Sequence, residues 1–565
     1  MALLVCALLV AASARSELTI RGVNDDVEAV LRAFVTIDEL PCDAPRWWVE
    51  RRHRQAPEQI RRGLEALGYY RSEVSGELEW QEQCWQASYR VEPGEPVRIQ
   101  TVDLVLEGDL AEEPRVRDVI AGLDVAPEEV FSHQSYENAK SALLEVAQGL
   151  GYFDAEFIRH RVEVNPQTNV ADIELTLVSG PRYRVGAIEL QQRVLEPKLF
   201  QRFLQFEEGD HYDEESLAET YRNLIGSDYF DRVLVAPDLD ARADGLVPVQ
   251  VTASATIRRS VLVGGGYATD TGPRTRLDLR YRYLNDRGHR ANFNSLLSTT
   301  AGRAQAEYRL PYGDPTHEWL FAKADVNYEE TDTFERLQRG VTVGRTLRRG
   351  RAWAETNYLE YSVEDFEVGE QEGTSQLLLL GTNWARTTSI NAPRPLQGYS
   401  LSFDVRGAGR MLLSDNDLLQ MIVRGRQIVP LGDRFRLLAR AHAGWTWQRE
   451  FADLPPSVRF FAGGDNSVRG YGFESIGPEK DGSVVGGQRL LTGSLELDAA
   501  IRPNWSVAVF ADSGSAFNGS PEFSTGVGVG VRWYSPLGPL RFDVAHPLDD
   551  PDNRVRLHIS LGPDL

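Results

Sequence analysis

Two hydrophobic patterns divide the chain. Up to about residue 257, apolar positions recur at helical spacing, as in Ile60, Leu64 and Leu67, or Leu143, Leu144 and Ala147. Each helical stretch ends in a small residue and paired aromatics: Gly68-Tyr69-Tyr70, Gly151-Tyr152-Phe153, and Ser227-Asp228-Tyr229-Phe230. The period is about 80 residues, which marks an internal repeat. Each aromatic pair precedes two strands, near Ala155 to Val164 and Ala171 to Val178 in the second repeat. The openings also match, Gly94-Glu95-Pro96-Val97-Arg98-Ile99 against Gly180-Pro181-Arg182-Tyr183-Arg184-Val185. Each repeat therefore reads as β-α-α-β-β, with the aromatics expected to plug the gap between second helix and sheet.

From about Arg258 the helical period disappears and strict alternation replaces it. Arg274, Arg276, Asp278, Arg280 and Arg282 share one strand face, and Thr275, Leu277, Leu279, Tyr281 and Tyr283 the other. Phe435, Leu437, Ala439, Ala441, Ala443 and Trp445 alternate with Arg434, Arg436, Arg440 and His442 in the same way. A soluble sandwich does not place several charges per strand on its second face, whereas a barrel with a watery lumen does. Trp319, Tyr328, Tyr358, Trp384, Trp445 and Trp533 near strand ends suit interfacial girdles. Short turns such as Asn285 to Gly288 contrast with one long connection, about Gln448 to Gln488. Counting hairpins gives about 16 antiparallel strands, an even number.

Composition narrows the function. A net charge of −22 opposes nucleic-acid binding, which needs an excess of Lys and Arg. No central run of 18 apolar residues exists and mean hydropathy is −0.35, which disfavours membrane helices but not a barrel. Met1 to Ala14 is apolar and ends in Ala12-Ser13-Ala14, a pattern expected of a cleaved secretory signal. Cys42 and Cys84 then remain, and in an exported chain they read as one disulfide, with two separate thiols as the alternative. Further ligands at metal-site spacing are missing, so no metal or cofactor is expected. The nine His are scattered and no G-x-S-x-G elbow occurs, so no catalytic residues are assigned and the chain does not read as an enzyme. His442 and His558 face the predicted lumen without a Ser partner.

The long connection contains Gly463-Gly464-Asp465-Asn466-Ser467-Val468-Arg469-Gly470-Tyr471. Two strands later comes Phe510-Ala511-Asp512-Ser513-Gly514, followed by Trp533-Tyr534-Ser535-Pro536-Leu537-Gly538-Pro539-Leu540. Together, after three repeats, these resemble the superfamily of outer-membrane insertases and two-partner secretion transporters, whose barrels follow periplasmic POTRA domains. Three repeats and the ending His558 to Leu565 are most similar to its TamA-type branch. The resemblance implies an α+β POTRA arm followed by an all-β, 16-stranded antiparallel transmembrane barrel. The expected domains are a signal peptide (1–14), POTRA units at 15–94, 95–179 and 180–257, and a barrel at 258–565. It also implies residence in the bacterial outer membrane and assembly of client outer-membrane proteins or autotransporters. Partners would be the lipid bilayer and a TamB-like inner-membrane-anchored protein on the POTRA arm. The alternative function is a two-partner polypeptide transporter or a passive outer-membrane channel.

The motif residues have a chemical reading of their own. Val468, Arg469, Gly470 and Tyr471 form a loop motif in which small neighbours let the guanidinium extend inward, toward carboxylates that can hold it by charge-assisted bonds. Asp512 and Glu496 are the candidates, and in the family a loop Arg docks on matching positions. Leu495 and Leu497 facing out turn Glu496 and Asp498 in. Leu262, Gly264, Gly265 and Gly266 lie on a first strand weakened by glycine, and Ile559 and Gly562 on a short last strand ended by Pro563. A lateral gate between the two strands is expected, with Leu262 facing the region of Ile559. A tightly closed barrel whose glycines relieve curvature is the competing reading.

Overall fold

The computed structural model describes residues 17–561, apart from 82–83, 270, 350–351, 390–393, 412, 450, 452, 536–537 and 551–554. The expected signal segment, Gly562 and Pro563 lie outside the described residues. Two compact units form: Met1–Glu189 with Phe206–Ala218 and Ala236–Gln250, and Leu190–Gln205 with Glu219–Val235 and Val251–Leu565.

The first repeat runs β1 (Glu17–Arg21), α1 (Asp25–Phe34), α2 (Arg46–Ala66), β2 (Glu73–Gln81) and β3 (Cys84–Glu92). The second runs β4 (Arg98–Glu107), α3 (Pro114–Ala121), α4 (His133–Gly149), β5 (Glu156–Asn165) and β6 (Val170–Val178). The third runs β7 (Arg184–Gln191), α5 (Pro197–Gln201), α6 (Glu214–Gly226), β8 (Phe230–Pro237) and β9 (Leu246–Ala255). All three make a three-stranded sheet with the last strand in the middle. β1 and β4 pair parallel with β3 and β6, and β2 and β5 pair antiparallel with them. Asn24 and Ser132 cap α1 and α4 by accepting the amides of Val27 and Ser135 at 2.9 and 3.0 Å. The apolar stripe of α2, Val49, Ala56, Ile60 and Leu64, is buried with Trp85, Ala87, Tyr89 and Val91 of β3. Cys42 and Cys84 are joined as a disulfide that ties the lead into α2 to this central strand.

The paired aromatics do more than plug their own repeats. Tyr152 is buried in its repeat, but Phe153 stacks edge-on against Tyr212 and Tyr183, which follow in the third repeat. Tyr70 likewise packs on the second repeat's core and contacts His133 Nε2 at 3.0 Å. The preceding glycines are left-handed, φ +92° at Gly68 and +90° at Gly151. Their carbonyls accept the next repeat's opening amides, Val97 and Tyr183, both at 2.9 Å. A Cβ at Gly68 would strike the Phe131 carbonyl, and one at Gly151 would lie 2.9 Å from the Tyr212 Cβ. The small-aromatic-aromatic motif is thus a joint between repeats as well as an internal plug.

The barrel strands are β10 (Arg259–Ala268), β11 (Gly272–Tyr281), β12 (Arg290–Ser298), β13 (Ala301–Pro311), β14 (Trp319–Glu330), β15 (Phe334–Arg349), β16 (Trp353–Val368) and β17 (Gln371–Ser389). They continue as β18 (Gly398–Ala408), β19 (Leu418–Leu431), β20 (Phe435–Gln448), β23 (Arg489–Arg502), β24 (Trp505–Phe517), β25 (Ser524–Ser535), β26 (Gly538–Pro547) and β27 (Arg556–Leu561). β21 (Glu479–Lys480) and β22 (Ser483–Val484) form a small hairpin within the long loop. The sixteen barrel strands form one antiparallel sheet in chain order, as alternation and the hairpin count predict.

Burial is inverted relative to a soluble protein. In β23, Leu491, Leu495 and Leu497 are exposed, while Thr492, Ser494, Glu496 and Asp498 are buried. That suits lipid outside and a polar interior. Trp384, Trp445 and Trp533 are exposed as girdle residues should be, but Trp319 and Tyr358 are not in the girdle. The Tyr358 hydroxyl donates to Asp404 at 3.2 Å, and Trp319 lies under the Arg290 guanidinium, 4.5 Å away. Arg290 also covers the ring of Tyr229 at 4.2 Å, and the Tyr229 hydroxyl donates to the Gly288 carbonyl at 2.6 Å. Alternation alone placed these aromatics near strand ends; their polar partners drew them inward.

Candidate functional site

The long loop between β20 and β23 folds back against the inner faces of the strands. Leu454 and Val458 pack on Leu377, Leu379 and Leu418, whereas Phe460 and Ala462 pack on Ile422, Leu490 and Ala516. Phe461 and Val485 meet Phe334, Phe366 and Val368. One loop thereby touches β15 to β17 on one side and β23 to β24 on another. Buried apolar contacts of this kind hold a loop that would otherwise be solvated.

Arg469 is 3% exposed. Its Nε and Nη2 donate to the two oxygens of Asp512 at 2.6 and 2.9 Å, a bidentate fork, and its backbone amide donates to Asp512 Oδ2 at 3.1 Å. Its Nη1 donates to Glu496 Oε2 at 2.8 Å and to Asp543 Oδ2 at 3.0 Å. Arg532 closes the ring, donating from Nη2 to Glu496 Oε1 at 2.9 Å and from Nη1 to Asp543. Two guanidiniums and three carboxylates thus alternate inside the wall of β23 to β26. Charges this buried are tolerable because each is paired and hydrogen-bonded, and deleting one partner of such a pair costs about 3–5 kcal/mol.

The two motifs fit residue by residue. Phe510, Asp512 and Gly514 share the inward face of β24. The Phe510 ring lies 3.4 Å beneath the Arg469 guanidinium, a cation–π contact. A Cβ on Gly514 would come within 2.8 Å of Val468, which is fully buried. Gly470 takes φ +101° and donates its amide to His558 Nε2 at 2.9 Å. The Tyr471 hydroxyl donates to the Thr525 carbonyl and accepts from the Asp549 amide, both at 3.3 Å. On β25 a Cβ at Gly526 would strike the Arg469 carbonyl, so this glycine lets the loop backbone reach the wall.

Asp543, Arg532, Gly526 and His558 were not assigned by sequence reasoning to the Arg469 site. Their inward parity was visible, since Phe542, Val544 and Leu557 beside them face out. Choosing them as partners required the cross-strand register, in which Asp543 faces Gly530 and His558 faces Asp543. A second knot was half seen. Asp498, fully buried, accepts from Arg394 at 2.7 Å, Arg436 at 3.2 Å and the Tyr534 hydroxyl at 3.1 Å.

The two ends of the sheet meet differently. Every neighbouring pair from β10 to β27 is a ladder, but among the described residues β10 and β27 form none. The contacts between them gather at one place: the Thr269 amide donates to the Ile559 carbonyl at 3.4 Å, and the Ile559 amide to Thr269 Oγ1 at 3.3 Å. Ile559 therefore meets Thr269, just past the end of β10, and not Leu262 as expected. Leu262 lies seven residues before Thr269 along β10, on a stretch away from this contact. Leu262, Gly264, Gly265 and Gly266 lie on the β10 edge beyond this contact, and a Cβ on Gly265 would meet no atom within 4 Å.

Comparison with known proteins agrees with this architecture. Residues 284–564 match the Omp85 superfamily domain, residues 17–93 the POTRA domain TamA domain 1, and residues 103–180 a POTRA domain described as a surface antigen variable number repeat. The outer membrane protein assembly factor BamA of Nitratidesulfovibrio vulgaris is 24% identical over 424 residues, 71% of this chain and 53% of that protein. BamA of Neisseria meningitidis serogroup B is 21% identical over 587 residues, 91% of this chain and 73% of that protein. The chain thus spans about half the length of the first relative. Among solved structures, BamA from Haemophilus ducreyi lacking POTRA domains 1–3 shares the fold, with a TM-score of 0.67 at 16% identity over 82% of this chain and 99% of that one. With a POTRA-type arm, a sixteen-stranded barrel and an inward-docked V-R-G-Y loop, the chain belongs to the Omp85 superfamily.

Proposed function

We propose that the protein is a TamA-type assembly factor of the bacterial outer membrane, with its POTRA domains in the periplasm. It promotes insertion or secretion of β-barrel and autotransporter clients without enzymatic chemistry. The observation that carries this reading is that, among the described residues, β10 and β27 form no ladder in a sheet whose other neighbours all do. An unpaired strand edge is a template for another strand, and it gives affinity through backbone groups without demanding one client sequence. The loop lock supports the same reading, because a wall fixed by Arg469, Asp512 and Glu496 lets the neighbouring seam open without collapse. A passive channel is less well supported, since the long loop packs across to several strands inside the barrel.

The POTRA sheets leave β1, β2, β4 and β5 as edges, where client segments or a TamB-like partner can add a strand. The match of residues 17–93 to a TamA-type first POTRA domain favours the TamA branch. The test is reconstitution. Liposomes carrying the protein should speed folding of a urea-unfolded autotransporter barrel into its protease-resistant form, relative to empty liposomes. Equal rates would contradict an assembly role.

A further inference from the structure

We infer that Asp465, on the same loop as Arg469, is a clasp that holds the β10–β27 seam shut from inside and sets how often it opens. The inference rests on the reading of the seam as a gate and adds its regulation. Asp465 Oδ1 accepts from Thr269 Oγ1, at the turn end of the first barrel strand, at 3.2 Å. The same oxygen pairs with His558 Nδ1 of the last strand. One carboxylate of the loop therefore touches both edges of the seam. Asp465 and His558 are 6% and 4% exposed, so these bonds are shielded from competing water.

The ring of His558 is oriented by the loop as well. The Gly470 amide donates to Nε2, which leaves Nε2 as the acceptor and places the ring proton on Nδ1, facing Asp465. The arms are unequal in what they hold. Arg469, four residues on, is fixed to the wall by five hydrogen bonds to Asp512, Glu496 and Asp543. The clasp ties the moving edges to that fixed point. The one backbone bond of the seam, from the Thr269 amide to the Ile559 carbonyl, can be replaced like for like by a client strand, because a strand offers the same amides and carbonyls. The side-chain bonds to Asp465 cannot be. Release of Asp465 thus opens the seam while the Arg469 knot stays in place.

The test is residue-resolved amide hydrogen exchange on the full-length protein in proteoliposomes, where exchange rate scales with the opening population. Asp465→Ala should speed exchange of the Thr269 and Ile559 amides about a hundredfold or more, the effect of losing two hydrogen bonds to a carboxylate, while β23 and β24 amides are unchanged. Neither amide is bonded to Asp465, so loss of a direct contact cannot produce the effect. Asp465→Asn keeps an oxygen acceptor and should return both rates toward those of the unmodified protein. If Asp465→Ala fails to fold, Thr269→Val is the second variant: it removes one arm together with the acceptor of the Ile559 amide, so its readout is the position-269 amide, which should exchange faster. Unchanged seam amides in Asp465→Ala, or equal acceleration across the barrel, would overturn the clasp and leave the gate reading intact. Failure of the gate reading would show differently, as client assembly through a covalently locked seam.

Discussion

The wall of β23 to β26 and the seam between β10 and β27 belong to one sheet, yet opposite means hold them. The wall has continuous ladders and, inside it, a ring of alternating guanidiniums and carboxylates around Arg469. The seam has no ladder among the described residues and is bridged at Thr269, Ile559 and Asp465. Glycine serves both regions in contrary ways. At Gly526 and Gly514 it lets the loop come close, so a side chain would collide. At Gly265 it faces open space, so its effect is to leave the strand loose. Residue type alone therefore does not report rigidity; what surrounds the missing Cβ does.

Breaking the wall should have the largest effect. Arg469→Ala leaves Asp512, Glu496 and Asp543 short of a buried counter-charge and should cost about 3–5 kcal/mol, read as lower thermal stability and faster proteolysis of the loop in a protein that still forms a barrel. Asp512→Asn should give a similar defect. A double-mutant cycle should show coupling, whereas strictly additive effects would mean that the two residues act independently.

Removing the disulfide tests whether the arm and the barrel differences are separable. Closing a chain separation of 42 residues is worth about 4 kcal/mol in the chain-entropy model. Cys42→Ser with Cys84→Ser should therefore lower the stability of the first POTRA repeat and leave the barrel's heat-modifiable mobility unchanged. Thiol labelling of the oxidised, denatured mature protein should find neither cysteine free.

The paired glycine substitutions are smaller and sharper. Gly526→Ala forces the Arg469 carbonyl away and should destabilise the loop by about 1–3 kcal/mol, the usual cost of overpacking. Gly265→Ala meets no neighbour and should stabilise β10 by about 0.5–1 kcal/mol, slowing client assembly. Equal effects of the two substitutions on loop protection would erase the contrast between wall and seam.

Much of this was legible in the sequence, for identifiable reasons. Alternation in Leu495-Glu496-Leu497-Asp498 reports which side is wet, because a strand's period of two is rigid. The β-α-α-β-β repeat shows in helical spacing followed by paired strands. Phe510, Asp512 and Gly514 declare one inward face by spacing alone. What sequence does not carry is register across strands. Asp543 and Arg532 complete the ring around Arg469 only because β24, β25 and β26 align as they do. The seam partner of Ile559 differs from the expected one for the same reason: it is Thr269, which the register of the two edges sets. The second aromatic of the first two repeats, Tyr70 and Phe153, looked internal because nothing local says that the next repeat supplies its neighbour.

The most direct test of the central claim is a covalent lock across the seam at the pair the structure brings together. Thr269→Cys with Ile559→Cys, oxidised in the outer membrane or in proteoliposomes, should yield a folded barrel that no longer assembles clients, and reductant should restore assembly. Each single-cysteine variant should remain active in either state, and the unmodified protein should tolerate the same reductant. If the cross-link forms completely and clients assemble at the normal rate, the seam is not the route, and the unladdered edge of β10 has no part in the function.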